Sequence, residues 1–312
     1  MRLVLVAVAV FALAVAGGAG CSVRGTSQKG AAQLLVTRDY GARELVSASE
    51  DPIEPGETAM RILMRNARVK TRYAGRFVNA VNAVASSNSA GRRSDWFYYV
   101  NGIEADVGAT EHELAGGDRV WWDYHEWSEV MRVPAVVGSF PEPFIHGSEG
   151  KRYPVRIDCG SDSRSACSDV SKRLEDAGIA PSTSAIGAPA GKEVLRFVVG
   201  KWDEVRQDGA SEQIEQGPQK SGVFARFGAS GGGGSELDLL DPQARVVQTL
   251  PHGAGLVAAT RFRDQAPTWV VAGTDSAGLD RAVTLLQERV LRSRFAVATT
   301  SGTPIALPVE GR

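Results

Sequence analysis

Asp95-Trp96-Phe97-Tyr98-Tyr99-Val100-Asn101-Gly102, and after it Arg119-Val120-Trp121-Trp122-Asp123-Tyr124-His125-Glu126-Trp127, are the stretches that decide the reading of the fold. Both are rich in aromatic and β-branched residues, which suit a pleated, half-buried surface. Asn101-Gly102 is a strong signal for a type I′ hairpin turn, because both central residues of that turn need positive φ. Ile103 to Val107 reads as the return strand, and Gly116-Gly117-Asp118 as a second turn. Side chains alternate across a strand. Trp96, Tyr98 and Val100 therefore share one face, and Phe97 and Tyr99 the other. In the later strand Val120, Trp122 and Tyr124 oppose Trp121, Asp123, His125 and Trp127. Both faces are aromatic, whereas a small domain has one core. Two readings stay open: a core on one face with ordinary exposure on the other, or a second face that stacks on a flat ligand or partner.

Working outward toward the N-terminus, Gln33 to Arg38 reads as a strand, Pro52, Pro55 and Gly56 mark a turn, and Thr58 caps a helix carrying Met60, Ile62, Leu63 and Met64. Val69 to Tyr73 is strand-like. Phe77, Val78, Val81 and Val84 mix helical and strand spacing and fix neither. Toward the C-terminus, Pro134, Pro141, Pro143, Gly138, Gly147 and Gly150 shift the composition, and residues 131–152 read as a linker between two domains, 33–130 and 153–312.

The second domain reads as α/β with a mixed sheet. Val155 to Asp158, Val194 to Val199, Gly222 to Phe227, Leu256 to Thr260 and Thr268 to Ala272 are expected strands, and Glu236 to Leu240 with Arg245 to Leu250 an expected hairpin. Helices are expected at Ser168–Ala177, stopped by Gly178, near Trp202–Gln207, and at Asp275–Leu291 with Leu279, Ala282, Val283, Leu286 and Val290 on one face. The overall expectation is a mixed α+β and α/β chain.

The quoted string, with Val107-Gly108 and Gly117-Asp118-Arg119-Val120-Trp121-Trp122, fits W-x-Y-x-V-N-G followed by G-D-x-[IV]-x-W. It resembles the transcobalamin-like C-terminal domain family, which includes the small β-domain of intrinsic factor and transcobalamin. The resemblance spans Gln33 to Trp127, about a third of the chain. It implies a β-grasp-like fold, a helix packed on a mixed sheet. In the vertebrate carriers this domain closes over cobalamin held mainly by a helical barrel, and this chain has no such barrel. The resemblance implies binding of cobalamin or another corrinoid. The residues suited to a broad ring edged with amides are Tyr98, Tyr99, Asn101, Arg119, Trp121, Trp122, His125 and Trp127. A neutral His125 imidazole could coordinate cobalt; the plainer reading is a surface histidine beside Glu126.

The N-terminus speaks to compartment. After Arg2, Leu3 to Val15 is an apolar run of thirteen residues. It would span about 20 Å as a helix, short of a ~30 Å hydrocarbon core. With the small residues of Ala16 to Gly20 it reads as a secretory signal over 1–20. Ala19-Gly20-Cys21 resembles a bacterial lipobox, with Gly18 where leucine is usual, so Cys21 is expected to carry lipid, including palmitate, with residues 21–32 as a tether. Cleavage after Ala14-Val15-Ala16 would instead leave Cys21 free. The remaining cysteines, Cys159 and Cys167, are an even pair in an exported chain and read as a disulfide.

Composition excludes some functions. With 43% hydrophobic and 23% charged residues and a net charge of −1, neither global disorder nor a basic nucleic-acid binder is expected. The one nucleophile signature, Gly228-Ala229-Ser230-Gly231-Gly232, runs into glycines that cannot begin a stable helix, and reads as a surface loop. His112, His125, His146 and His252 are scattered, and no metal motif or P-loop occurs. The expectation is a non-enzymatic bacterial lipoprotein on the outer face of the cell membrane, binding a small ligand in support of uptake by a vitamin transporter. The runner-up is an envelope adhesion or interaction protein; an envelope enzyme using the α/β half is third.

Overall fold

A computed structural model of the chain describes residues 30–148, 150–262 and 265–310. The expected signal segment, Cys21 and most of the tether lie outside the described residues. The fold is α+β, with two large mixed sheets and two small antiparallel ones.

The first half opens with β1 (Ala32–Arg38) and β2 (Arg43–Glu50), an antiparallel pair. Helix α1 (Ala59–Asn66) follows, its first turn capped by Thr58, whose hydroxyl accepts from the Arg61 N–H at 3.2 Å. The undecided segment is a meander of strands: β3 (Val69–Arg72), β4 (Phe77–Val81) and β5 (Val84–Ala85). Then come β6 (Ser87–Ser89), β7 (Arg92–Val100), β8 (Ile103–Glu104) and β9 (Arg119–Glu126). The sheet runs β2-β1-β9-β7-β6, with β8 on β7; β1 and β9 are parallel and their outer neighbours antiparallel. Asn101 and Gly102 both have positive φ, 53° and 78°, as the type I′ turn requires. The return strand is shorter than expected. It pairs only at Ile103 and Glu104, because the segment at 134–136 then takes over, with Glu104 N–H donating to Pro134 O and Val136 N–H to Gly102 O.

The second half contains β10 (Val155–Cys159), α2 (Arg164–Asp176), β11 (Ser182–Ala185), β12 (Leu195–Lys201), α3 (Trp202–Val205), α4 (Gly209–Glu215), α5 (Pro218–Ser221), β13 (Ala225–Ala229), β14 (Ser235–Leu240) and β15 (Val246–Leu250). It ends with β16 (Gly255–Thr260), β17 (Thr268–Gly273), α6 (Ser276–Thr284), α7 (Glu288–Leu291), β18 (Ala296–Thr299) and β19 (Ile305–Leu307). Its sheet has the order β11-β10-β12-β17-β16-β18-β19. The strands β11, β10, β12 and β17 are parallel, and β16, β18 and β19 are antiparallel additions. The glycine run at Ser230 is the exposed turn between β13 and β14, not a nucleophile elbow. The expected long helix at 275–291 breaks after Thr284, where the chain turns to bury the adjacent Leu285 and Leu286 together with Leu291. Cys159 and Cys167 form the expected disulfide, tying the end of β10 to the first turn of α2.

The cores show how the halves meet. Leu34, Val36, Trp96, Val120 and Trp122 pack one face of the first sheet against Ala59, Met60, Ile62 and Leu63 of α1. Tyr99 and Trp121, on the opposite face, belong to a second core with Val133, Val136, Val223, Phe224 and Phe295. The segment 131–152, expected as a linker, therefore supplies packing: Val133, Ala135, Val136, Val137, Phe140 and Phe144 are all buried. Gly138 is obligatory here, because a Cβ on it would lie 2.6 Å from Cζ3 of Trp121 and 2.8 Å from the Arg294 nitrogen.

Candidate functional site

The residues expected to bind ligand are brought close together by β7 and β9, but most of them face inward. Tyr99, Asn101, Trp121, Trp122 and His125 are buried. The expectation of an open aromatic face is corrected for these five, because the second half of the chain covers one face and α1 the other. Trp121 donates its indole N–H to Thr37 Oγ1 at 2.7 Å and meets the Phe295 ring edge-on. Asn101 donates to Asp118 and to the Gly147 carbonyl, and accepts from the Arg119 N–H. Arg119 donates to the Phe140 carbonyl at 2.9 Å and pairs with Glu288 at 2.7 Å. These polar groups tie the 140–147 segment and α7 to the hairpin. Tyr98 is half-buried, stacks on Trp122 and donates its hydroxyl to the Val107 carbonyl. Trp127 is also half-buried; it donates to Asp95, and the Arg93 guanidinium sits 4.0 Å over its ring.

His125 is not a surface histidine. Its ring is sandwiched between Tyr40 and Phe97, with centroids at 4.5 and 4.4 Å, and its Nδ1 lies 2.9 Å from Asp123. Asp123 is fully buried and its carboxylate takes four partners. Oδ1 accepts from Gly41 N–H at 2.9 Å and from the Thr37 hydroxyl; Oδ2 accepts from Tyr40 N–H at 3.1 Å and meets His125. Burial, then the nearby Asp123 and Glu126 charges, pushes the Tyr40 phenol far above its ordinary value. That phenol donates to the Glu126 carbonyl. This network locks the β1–β2 turn, where Asp39, Tyr40 and Gly41 all have positive φ. No group of three or more His, Cys, Asp or Glu side chains suited to a metal ion occurs among the described residues.

An open site lies at the edge of this network. A cavity of about 600 Å³ is lined by Asp39, Tyr40 and Gly41 of the β1–β2 turn, Ser87 of β6, Arg92 and Ser94 of β7, Glu126, Gln243, Arg292 to Arg294, and Pro308 to Glu310. That size falls within the range of small-ligand sites. Arg92, Arg292 and Arg294 form no ion pair among the described residues. Nη1 of Arg294 is buried without a hydrogen-bond partner, and burial draws its guanidinium below the ordinary value. Leaving such a donor unmatched costs about 1–3 kcal/mol. Glu126 adds an unmatched acceptor, since its Oε1 is buried without a partner while Oε2 takes the Gln243 amide. The acid Asp39 is already engaged by Arg38 and Arg43. Sequence reasoning missed this site, because nothing in the spacing of Arg92, Arg292 and Arg294 says that they converge.

Among known proteins, residues 56–126 match the family described as a domain of unknown function, DUF4430, a transcobalamin-like family. The match lies inside the segment whose motif resembles that group. No curated protein matches the chain. A solved structure from Ruminococcus gnavus ATCC 29149, described as a "putative metal binding protein", is similar at 12% identity, covering 31% of this chain and 98% of that one, with a TM-score of 0.25.

Proposed function

We propose that the chain is an exported, lipid-anchored binding protein that holds a small anionic ligand in the cleft beside the β1–β2 turn and hands it to a membrane transporter, without catalysing a reaction. The observation that carries the reading is the convergence of Arg92, Arg292 and Arg294, none of them in an ion pair among the described residues, on a cavity of ligand size. The apolar run at Leu3–Val15 and Cys21 support export and anchoring. A corrinoid is the ligand we favour. Its phosphodiester suits the guanidiniums, and its amide N–H groups suit the Glu126 carboxylate.

The test is a titration with cyanocobalamin and with cobinamide, which lacks the phosphodiester, followed by absorbance and calorimetry. Cyanocobalamin is expected to bind more tightly. Arg294→Gln should weaken it by about ten-fold or more, the worth of a hydrogen bond to a charged group, and leave cobinamide unchanged. No heat and no spectral shift with either at ~100 μM would remove the corrinoid reading. The envelope-interaction reading would then lead. It draws support from the aromatic sheet, whose buried residues are engaged in packing within the chain.

A further inference from the structure

The meander that follows α1 carries a charge pattern that the cleft does not use. Between Ala67 and Ala85 stand Arg68, Lys70, Arg72 and Arg76, with no acidic residue, in a chain whose net charge is only −1. None of the four forms an ion pair among the described residues, and all four are exposed. Strands β3 and β4 pair antiparallel, with Arg72 opposite Phe77, so Arg72 and Arg76 bracket the connecting turn. Tyr73 stands at the tip, 78% exposed, its ring edge-on to Phe77 at 6.3 Å. A Cβ added at Gly75 would meet nothing within 4 Å, so the turn projects into open space. Tyr73 and Ala74 both hold positive φ, 50° and 57°, a conformation that costs a non-glycine residue and turns the tyrosine out of the sheet.

An exposed phenol ring with an exposed arginine on either side of its turn matches one environment well. At a bilayer surface the amphipathic ring of tyrosine sits at headgroup level, while basic side chains meet anionic phosphates. We propose that the β3–β4 hairpin docks on the surface of an anionic phospholipid membrane, with Tyr73 at the headgroup level and Arg72 and Arg76 beside it. The hairpin would be a second contact with the bilayer beside the lipid proposed for Cys21. Charge attraction to a surface fades within about 10 Å at ~0.1 M salt, so Arg72 and Arg76 at the tip should matter more than Arg68 and Lys70 at the base.

The experiment uses the full chain carrying Cys21→Ser, so that its outcome is separate from that of acylation. Flotation would be measured with phosphatidylcholine vesicles, pure or with about 30% phosphatidylglycerol. Binding is expected only to the anionic vesicles, and it should be lost near ~0.5 M salt. Arg72→Gln with Arg76→Gln should weaken it roughly 25-fold, about five-fold for each charge. Arg68→Gln with Lys70→Gln should weaken it less, and Tyr73→Ser should weaken it with the melting temperature unchanged. Equal flotation on both vesicle types, or a tip variant that floats like the parent, would overturn the proposal. So would a parent chain that ignores vesicles but binds soluble DNA through Arg72 and Arg76, since the hairpin would then be a polyanion site.

Discussion

Replacing Asp123 by asparagine should cost about half of what replacing it by alanine costs. The carboxylate is fully buried, and each of its oxygens accepts one backbone N–H: Gly41 on Oδ1 at 2.9 Å and Tyr40 on Oδ2 at 3.1 Å. The Thr37 hydroxyl and His125 Nδ1 complete the set. A hydroxyl or an imidazole nitrogen can exchange donor and acceptor roles, but a backbone amide cannot. Asparagine has one acceptor oxygen, so in either orientation its NH₂ group confronts one backbone N–H. One buried donor is then orphaned, at about 1–3 kcal/mol. Alanine orphans both, for about 2–6 kcal/mol in total, and frees a turn whose residues 39–41 are held at positive φ. Against a net stability of about 5–15 kcal/mol, the alanine variant should be close to unfolding at 37 °C. Urea denaturation followed by tryptophan fluorescence measures both, with the midpoint falling and the slope unchanged. An asparagine variant within about 0.5 kcal/mol of the parent, or one as unstable as the alanine variant, would refute the reasoning.

Trp121→Ala should lose about 3–5 kcal/mol, whereas the half-buried Trp127→Ala should lose about 1 kcal/mol, read from paired urea midpoints. For Glu204, burial raises the carboxyl's pKa, but the Ser163 hydroxyl, the Asp162 and Lys201 amides and the Lys201 charge outweigh that and hold it below the ordinary value of 4.5. The folded state therefore favours the ionised form. Glu204→Gln should be less stable than the parent at pH 7, by about 1–2 kcal/mol, and the gap should close as pH falls below about 4.5; a gap constant between pH 7 and pH 3 in calorimetric scans would count against it. Non-reduced mass spectrometry should show Cys159 and Cys167 as one linked peptide pair, and the double serine variant should lose about 2.5 kcal/mol, the entropy of closing so short a loop. Wild-type chain should partition with membranes into detergent and Cys21→Ala should not; equal soluble release would remove the anchor.

Local chemistry made much of the fold legible. Asn101-Gly102 specified its turn because that turn needs two positive φ values, and Thr58 specified a helix start because its hydroxyl can take an orphan N–H. Alternation along Asp95–Val100 and Arg119–Glu126 sorted the aromatic residues correctly into two faces. The meander at 77–85 was not legible, since four apolar residues with mixed spacing satisfy either period. The cleft was not legible either. Arg92 lies about 200 residues from Arg292 and Arg294 in sequence, and each alone reads as an ordinary solvated charge.

What the sequence by itself determined, then, is the Asn101-Gly102 turn, the Thr58 cap, the β14–β15 hairpin, the disulfide partners, and the fact that β7 and β9 are apolar on both sides. Only the tertiary structure decided what lies against the second side. Trp121, Tyr99 and His125 are covered by Val133, Val136, Phe224 and Phe295, residues contributed by the presumptive linker and by the second half. Period-two patterning records that a face is apolar, but a ligand and a distant part of the same chain dehydrate it equally well. The choice between them rests on long-range packing, which no local spacing encodes.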